Sequence, residues 1–515
     1  MPRPTRARSL RRCGSLRPAG GVTRRELIAG AGAGAAALLL QPRGVQAQAP
    51  SEDTVVFSRT TVVNPDAVQT DVALAVQSGR IVAIGPTDDI RARFPNAEDY
   101  DGRGKALVPG LINCHAHLAA TLARGFNEDF GFPNSAGLTI RPNGLLEGEE
   151  HALMVTIGAL EAIRTGTTTI VENTGNITRH AAALVNTGLR CVLAESVRDS
   201  ENVPGPMAPA GLAASETPRF SPRLRDEGLQ RISDLFSRWH GANQGRVSVF
   251  PAAALSETSS PELLRAVRAF AEEHDLGYTI HLSQSRAEVD FMVQHHGMRP
   301  PAYLDAHGFL GPRLFAAHCR YVDEDDIARL GRSRTIISHQ AAMAANRGVI
   351  PPIPALRAAG CPIATGTDNN TNDLFEVMRI ALVTERIRRD DPFPGVQPQP
   401  EDILADATQA GARAVNQEDV LGVLEVGRKA DILVVDTLRA HLVPAVRFLS
   451  AWIHNGQPSD IESVMIDGQF IMRDRRVLTL DEESVIAEAD KVSKRIWGQV
   501  QAAEPITVPR LPRPR

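Results

Sequence analysis

Eight short apolar runs recur between residues 106 and 366, and longer stretches of helical character separate them. The runs are Ala106–Ile112, Thr167–Val171, Arg190–Ala194, Val247–Pro251, Tyr278–Leu282, Leu314–Ala317, Thr335–Ser338 and Pro362–Gly366. Runs this short and continuous predict strands buried on both faces, and the helical stretches between them predict parallel connections. Eight such units close naturally into a (β/α)8 TIM barrel of the α/β class, whose chemistry belongs at the C-terminal ends of the strands.

Polar residues stand where these runs end. Asn113-Cys-His115-Ala-His117 follows the first, and side chains two apart on a strand point to one face, so the two imidazoles converge as a divalent ion needs. His281 closes Tyr278-Thr-Ile-His-Leu, His318 closes Leu314-Phe-Ala-Ala-His, His339 closes Thr335-Ile-Ile-Ser-His, and Asp368 closes Ile363-Ala-Thr-Gly-Thr-Asp. One histidine at a strand end is ordinarily a surface or hydrogen-bonded residue. Five histidines and an aspartate at the same end of one barrel point instead to a metal centre.

The flanks read differently. Short alternating strands run from Thr54 to about Val108, and the same texture returns in Ala430–Asp436 and Val464–Met472. The two chain ends therefore predict a small β-sandwich domain made of residues 52–108 and 422–480, with the barrel occupying 109–421. Residues 481–515 predict a C-terminal helix and a tail that is Pro/Arg-rich from Pro509. Ser200–Pro222 is rich in Pro, Ala and Gly without periodicity and predicts a long loop near the barrel mouth.

The formal charge of −4 hides an asymmetry: residues 1–47 carry nine Arg against one Glu, leaving 47 basic and 59 acidic residues beyond them. A body that acidic argues against nucleic acid as a partner. The basic end contains Thr23-Arg24-Arg25-Glu26-Leu27-Ile28, then the apolar Ala29–Leu40, then the small-residue Val45-Gln-Ala47-Gln-Ala49. This layout predicts an export signal of the twin-arginine type, hence the twin-arginine export machinery as a partner and a periplasmic or secreted location. No later apolar run is long enough to span a bilayer, so no stable membrane anchor is expected after cleavage. Cys114, Cys191, Cys319 and Cys361 are scattered singly, without a disulfide framework. No Gly-x-Gly-x-x-Gly follows a strand, which makes a dinucleotide-dependent enzyme a poor alternative. Nothing in the chain opposes a homo-oligomer.

His115-Ala-His117, the single His281, His318 followed by Cys-Arg-Tyr-Val-Asp-Glu-Asp-Asp, and Gly366-Thr-Asp368 resemble the amidohydrolase superfamily, in its cytosine/guanine deaminase and triazine-hydrolase (chlorohydrolase-like) branch. Gly422-Val-Leu-Glu-Val-Gly-Arg-Lys-Ala-Asp-Ile-Leu-Val-Val-Asp436 is similar to the C-terminal strand signature of the same family. The resemblance spans roughly residues 52–475. It implies that His115, His117, His281 and Asp368 hold one divalent ion, Zn2+ first and Fe2+ as the alternative. It also makes Asp368 the proton acceptor and His318 the group that orients the attacking water. A two-metal site bridged by a carbamylated lysine is excluded, because no Lys lies between Lys105 and Lys429.

Two positions depart from the branch. The residue three beyond the fifth-strand histidine is Gln284, where deaminases place the Glu that shuttles protons to a ring nitrogen. Gln donates and accepts hydrogen bonds but is no acid or base near pH 7. The fourth strand reads Phe250-Pro-Ala-Ala-Ala-Leu-Ser and lacks the Pro-His-Ala of relatives. The expectation is an enzyme that cleaves a non-peptide C–N bond of a small-molecule amide, urea or carbamate, with His339 and Gln284 contacting substrate. Two alternatives stand: an aminohydrolase of a heterocycle, with Glu257 or Asp373 in place of the missing Glu, and a catalytically inactive metal- or ligand-binding periplasmic protein.

Overall fold

The structure is a computed structural model that describes residues 54–130, 138, 140–203, 217–389 and 397–507. The expected export signal, the centre of the Ser200–Pro222 loop and the tail from Pro509 lie outside the described residues.

The chain opens with β1 (Val55–Val63), β2 (Val68–Gln77), β3 (Arg80–Pro86), β4 (Glu98–Asp101) and β5 (Lys105–Pro109). The barrel strands follow: β6 (Leu111–Ala116), β7 (Thr167–Thr174), β8 (Arg190–Val197), β9 (Val247–Leu255), β10 (Tyr278–Leu282), β11 (Leu314–His318), β12 (Ile336–His339) and β13 (Ile363–Thr365). The chain then returns through β14 (Ile432–Asp436), β15 (Ile461–Ile466), β16 (Gln469–Arg473) and β17 (Arg476–Val477), and ends in a helix, Glu482–Ala503.

Strands β6 to β13 lie in sequential order in one eight-stranded parallel sheet. The circle closes where β13 meets β6: the amides of Thr367 and Asp368 both donate to the His115 carbonyl at 2.9 Å, and the His117 amide donates to the Asp368 carbonyl at 3.2 Å. Gly366 makes this approach feasible, since a Cβ there would lie 2.9 Å from the Cβ of His115. The barrel is the expected one with a single correction. Ala106–Ile112 is not one strand: Lys105–Pro109 belongs to the other sheet, and the barrel strand begins at Leu111, beyond Gly110. Periodicity alone does not separate two buried strands joined by one glycine.

The remaining nine strands form a second sheet in the order β17-β16-β15-β14-β5-β1-β2-β3, with β4 beside β1. The two halves of the sequence meet at the antiparallel β14–β5 pair, Ile432 opposite Pro109 and Asp436 opposite Lys105. The sheet curls over on itself, with Arg80 at the start of β3 bridging Lys429 just before β14 and the rings of Phe57, Tyr100 and Phe470 packed together. Arg190, at the start of β8, is fully buried beneath the barrel and lies 3.0 Å from Asp431 and 2.8 Å from Asp467, tying barrel to sheet. The C-terminal helix reaches back to the mouth, where Trp497 Nε1 donates to the Leu122 carbonyl at 2.6 Å.

Candidate active site

Five of the residues singled out by sequence meet at the C-terminal end of the barrel. The donor atoms of His115, His117 and His281 lie within 4.8 Å of one another, as do those of His115, His318 and Asp368, so His115 is common to both groups. The His117 and His281 rings are nearly parallel, 9° apart, and His115 stands at 80° to each with centroids 4.8 Å away.

Hydrogen bonding fixes which nitrogens face inward. His281 Nδ1 lies 2.9 Å from the Ala254 carbonyl, which can only accept, so Nδ1 carries the proton and Nε2 keeps its lone pair. The Asn173 backbone lies within hydrogen-bonding reach of the His117 ring. The two Nε2 atoms then face each other at 3.3 Å. Two nitrogens bound to one tetrahedral zinc at ~2.05 Å stand about 3.3 Å apart, so the pair fits such an ion. Asp368 Oδ1 lies 3.5 Å from His117 Nε2, and its Oδ2 lies 3.8 Å from His318 Nδ1. His115 is fully buried and neither ring nitrogen has a hydrogen-bond partner, a costly arrangement that coordination relieves.

Burial also sets the protonation states. Desolvation holds the His115 and His318 rings well below the usual histidine range and His281 at about 4, with the neighbouring histidines adding to the effect, so all three are neutral near pH 7. Burial pushes the Asp368 carboxyl up to about 6 against the pull of His281, Arg320 and Arg347.

Second contacts hold these groups in place. Asn113 Oδ1 accepts from the amides of His115 at 3.2 Å and Thr367 at 3.1 Å, while its Nδ2 donates to Thr367 Oγ1 at 2.8 Å. The His318 amide donates to Gln340 Oε1 at 3.0 Å. His318, Cys319 and Asp368 have φ of 81°, 48° and 63°, left-handed backbone that costs roughly 1–3 kcal/mol at a non-glycine residue and concentrates at functional sites.

The other expected residues lie outside these two donor groups. His339 is buried with both ring nitrogens unpartnered, and its pKa falls to about 3 through burial and then the charge of Arg357. Arg357 is in turn ion-paired with Asp406 and Glu385. Gln284 is buried beside the mouth, its Nε2 has no partner, and its amide donates to Glu288 Oε2 at 2.8 Å. Glu257 is held above the usual carboxyl range by burial and by Glu288, with Ser256 Oγ between the two carboxyls. Asp373 accepts from the Glu376 amide at 2.9 Å as the first-turn cap of the helix Leu374–Arg389.

Sequence reasoning missed Glu172 and His180. Glu172 accepts from the Leu118 amide at 2.9 Å and stands 3.5 Å from His180 Nε2, fixing the turn just beyond His117. The available signal was its position directly after the second apolar run, the same offset that marks His318 and His339.

Residues 106–471 match the Amidohydrolase family, and residues 73–97 match a bacterial imidazolonepropionase-like composite domain. The 5-methylthioadenosine/S-adenosylhomocysteine deaminase of Desulforudis audaxviator is 33% identical over 434 residues, covering 83% of this chain and 95% of the relative. The 5'-deoxyadenosine deaminase of Methanobrevibacter smithii is 29% identical over 455 residues, covering 87% and 99%. Among solved structures, an adenosine deaminase from Xanthomonas campestris with bound zinc aligns with a TM-score of 0.73 and 26% identity, over 87% of this chain and 100% of that one. The atrazine chlorohydrolase of Arthrobacter aurescens TC1 complexed with zinc aligns with a TM-score of 0.72 and 22% identity, over 85% and 100%.

Proposed function

The chain belongs to the amidohydrolase family, and on that premise we propose that it is a mononuclear metal hydrolase that opens a non-peptide C–N bond in a small molecule. The observation that carries this reading is the 3.3 Å approach of His117 Nε2 and His281 Nε2, with His115 and Asp368 completing the donor set. Three neutral imidazoles and one carboxylate suit Zn2+ first and Fe2+ second. A bound ion of this kind supplies acidification of water towards neutral pH.

The residues of this chain do the rest. His115, His117 and His281 enter as lone-pair donors because burial favours their uncharged form, and the Ala254 carbonyl turns His281 Nε2 inward to face His117 Nε2. Asp368 takes the proton of the attacking water and passes it to the departing nitrogen. His318, with Nδ1 towards Asp368 and its amide anchored on Gln340, orients that water and stabilises negative charge on the attacked carbon's oxygen. Gln284 Nε2, buried and unpartnered, offers a hydrogen bond to substrate.

Amides, ureas and carbamates suit this set, since proton transfer through Asp368 alone suffices for them. A second reading, deamination of an adenine-like heterocycle, is favoured by the deaminases among the relatives. It lacks a proton shuttle at Gln284, and Glu257 and Asp373 are engaged by Ser256 and by the Glu376 amide. The test is a panel of amides, ureas, carbamates and adenine nucleosides offered to the metal-loaded protein. Turnover of the first three supports the leading reading, ammonia release from adenosines alone supports the second, and silence across the panel contradicts both.

The basic and apolar leader, residues 1–47, supports export by the twin-arginine route to the periplasm. The four cysteines beyond it are buried and unpaired, as suits a chain that folds before export. No helix among the described residues is long and apolar enough to cross a membrane. Fractionation of cells making the full chain tests this: recovery with the cytoplasm, uncleaved, would contradict it.

A further inference from the structure

Beside Asp368 stand two arginines that neither the barrel nor the proposed reaction uses. Arg320 follows His318 by two residues, after the left-handed turn, and one guanidinium nitrogen donates to the Gln284 carbonyl. Its Cζ lies 5.9 Å from the Tyr321 ring centroid, and its Nε is buried without a partner. Arg347 follows the helix Ala341–Asn346; its Nη1 donates to the Asn127 carbonyl at 2.6 Å, and its Nη2 is likewise buried without a partner. Each guanidinium lies within electrostatic reach of Asp368, and Arg320 feels Arg347 directly.

Neither arginine forms an ion pair among the described residues. The carboxylates near them are engaged: Glu288 accepts from Ser256, Ser283 and Gln284, and Glu128 accepts from the Gly125 amide. Asp368 is the remaining anion, and in the proposed reaction it faces a cation of its own. Hydrogen bonds tie both to the site: Arg320 holds the carbonyl of Gln284, three residues beyond His281, and Arg347 holds the carbonyl of Asn127, whose Nδ2 donates to the Asn369 carbonyl at 3.2 Å next to Asp368; Gln284 Nε2 is a further buried donor without a partner. Two guanidinium groups with buried unpartnered nitrogens and no ion pair favour an anion, because buried unmatched donors are costly and arginine pairs best with carboxylate or phosphate oxygens.

We propose that Arg320 and Arg347 form a subsite for an anionic group of the substrate, a carboxylate or a phosphate, next to the reacting bond. This rests on the hydrolase reading for the position of that bond, and it narrows the substrates to acids such as N-carbamoyl or N-acyl amino acids, or phosphate esters.

The test is isothermal titration with N-carbamoylglycine, its neutral amide N-carbamoylglycinamide, and inorganic phosphate. Wild type is compared with R320Q/R347Q and with R347Q alone, at equal metal content. An anion should bind wild type roughly tenfold or more tightly than the double variant, with R347Q between them, while the neutral amide binds all three alike. Preference for N-carbamoylglycine identifies a carboxylate site and preference for phosphate a phosphate site. Equal binding of both anions to wild type and variants, or no anion binding better than the neutral amide, overturns the proposal. The comparison reads equally on metal-free protein, so failure to take up metal counts against the hydrolase reading alone.

Discussion

Asn113 and Thr367 hold each other twice, side-chain amide to hydroxyl at 2.8 Å and backbone amide to side-chain carbonyl at 3.1 Å, across the seam where the barrel closes. Both are fully buried, and His115 and Asp368 are their immediate neighbours. The geometry of the donor set therefore depends on a pair that touches neither metal nor substrate.

Asn113→Ala strips the side-chain acceptor from the buried His115 amide, while the Thr367 amide keeps the His115 carbonyl at 2.9 Å. Leaving a buried donor unpaired costs about 1–3 kcal/mol, and supporting contacts of this kind tune metal affinity by roughly 10–100-fold. Thermal melting and competitive chelation should show both losses together. An unchanged metal affinity would separate the seam from the site.

Gln284→Glu restores a titratable group at the substrate side of the mouth. Ammonia release from adenine nucleosides should rise by on the order of a hundredfold or more, the usual worth of a placed acid–base group. Unchanged ammonia release would mean that the missing proton shuttle is not what separates this chain from its deaminase relatives.

Glu257 is buried against Glu288, and burial first, Glu288 second, raises its pKa well above 4.5. A carboxyl raised in the folded state lends stability at low pH and loses it as the pH climbs from its ordinary value through the folded one. Glu257→Gln removes that dependence. Melting curves of variant and wild type should diverge in favour of the variant from about pH 4.5 upward, and parallel curves would show that the pair does not titrate on unfolding.

Arg190→Met leaves Asp431 and Asp467 without their shared buried cation. Loss of one partner from a buried pair costs about 3–5 kcal/mol, to be read as a fall in chemical-denaturation midpoint. Arg246, 3.2 Å from Asp467, sets a control: its loss leaves Asp467 with Arg190 and costs less.

Much of this was legible in the sequence because barrel strands are short, apolar and regularly spaced, and because strand-end histidines break that apolarity. The His115–His117 step, His281, His318 and Asp368 announced themselves in that way. The slip at Ala106–Ile112 arose because β5 and β6 are both buried and only Gly110 divides them. His339 satisfies the same positional rule as His318, and its carbonyl accepts from the Gly366 amide beside His115, yet it belongs to neither group of converging donor atoms. Arg320 and Arg347 follow no strand pattern: one hangs on a left-handed turn and the other on the end of a short helix, so only the folded chain brings them to Asp368.

Metal stoichiometry measured alongside turnover tests the central claim most directly. One divalent ion per chain is expected in wild type, with both ion and hydrolysis lost in His115→Ala and Asp368→Ala while the barrel still melts cooperatively. A wild type that binds no ion, or either variant that keeps full activity, would contradict it.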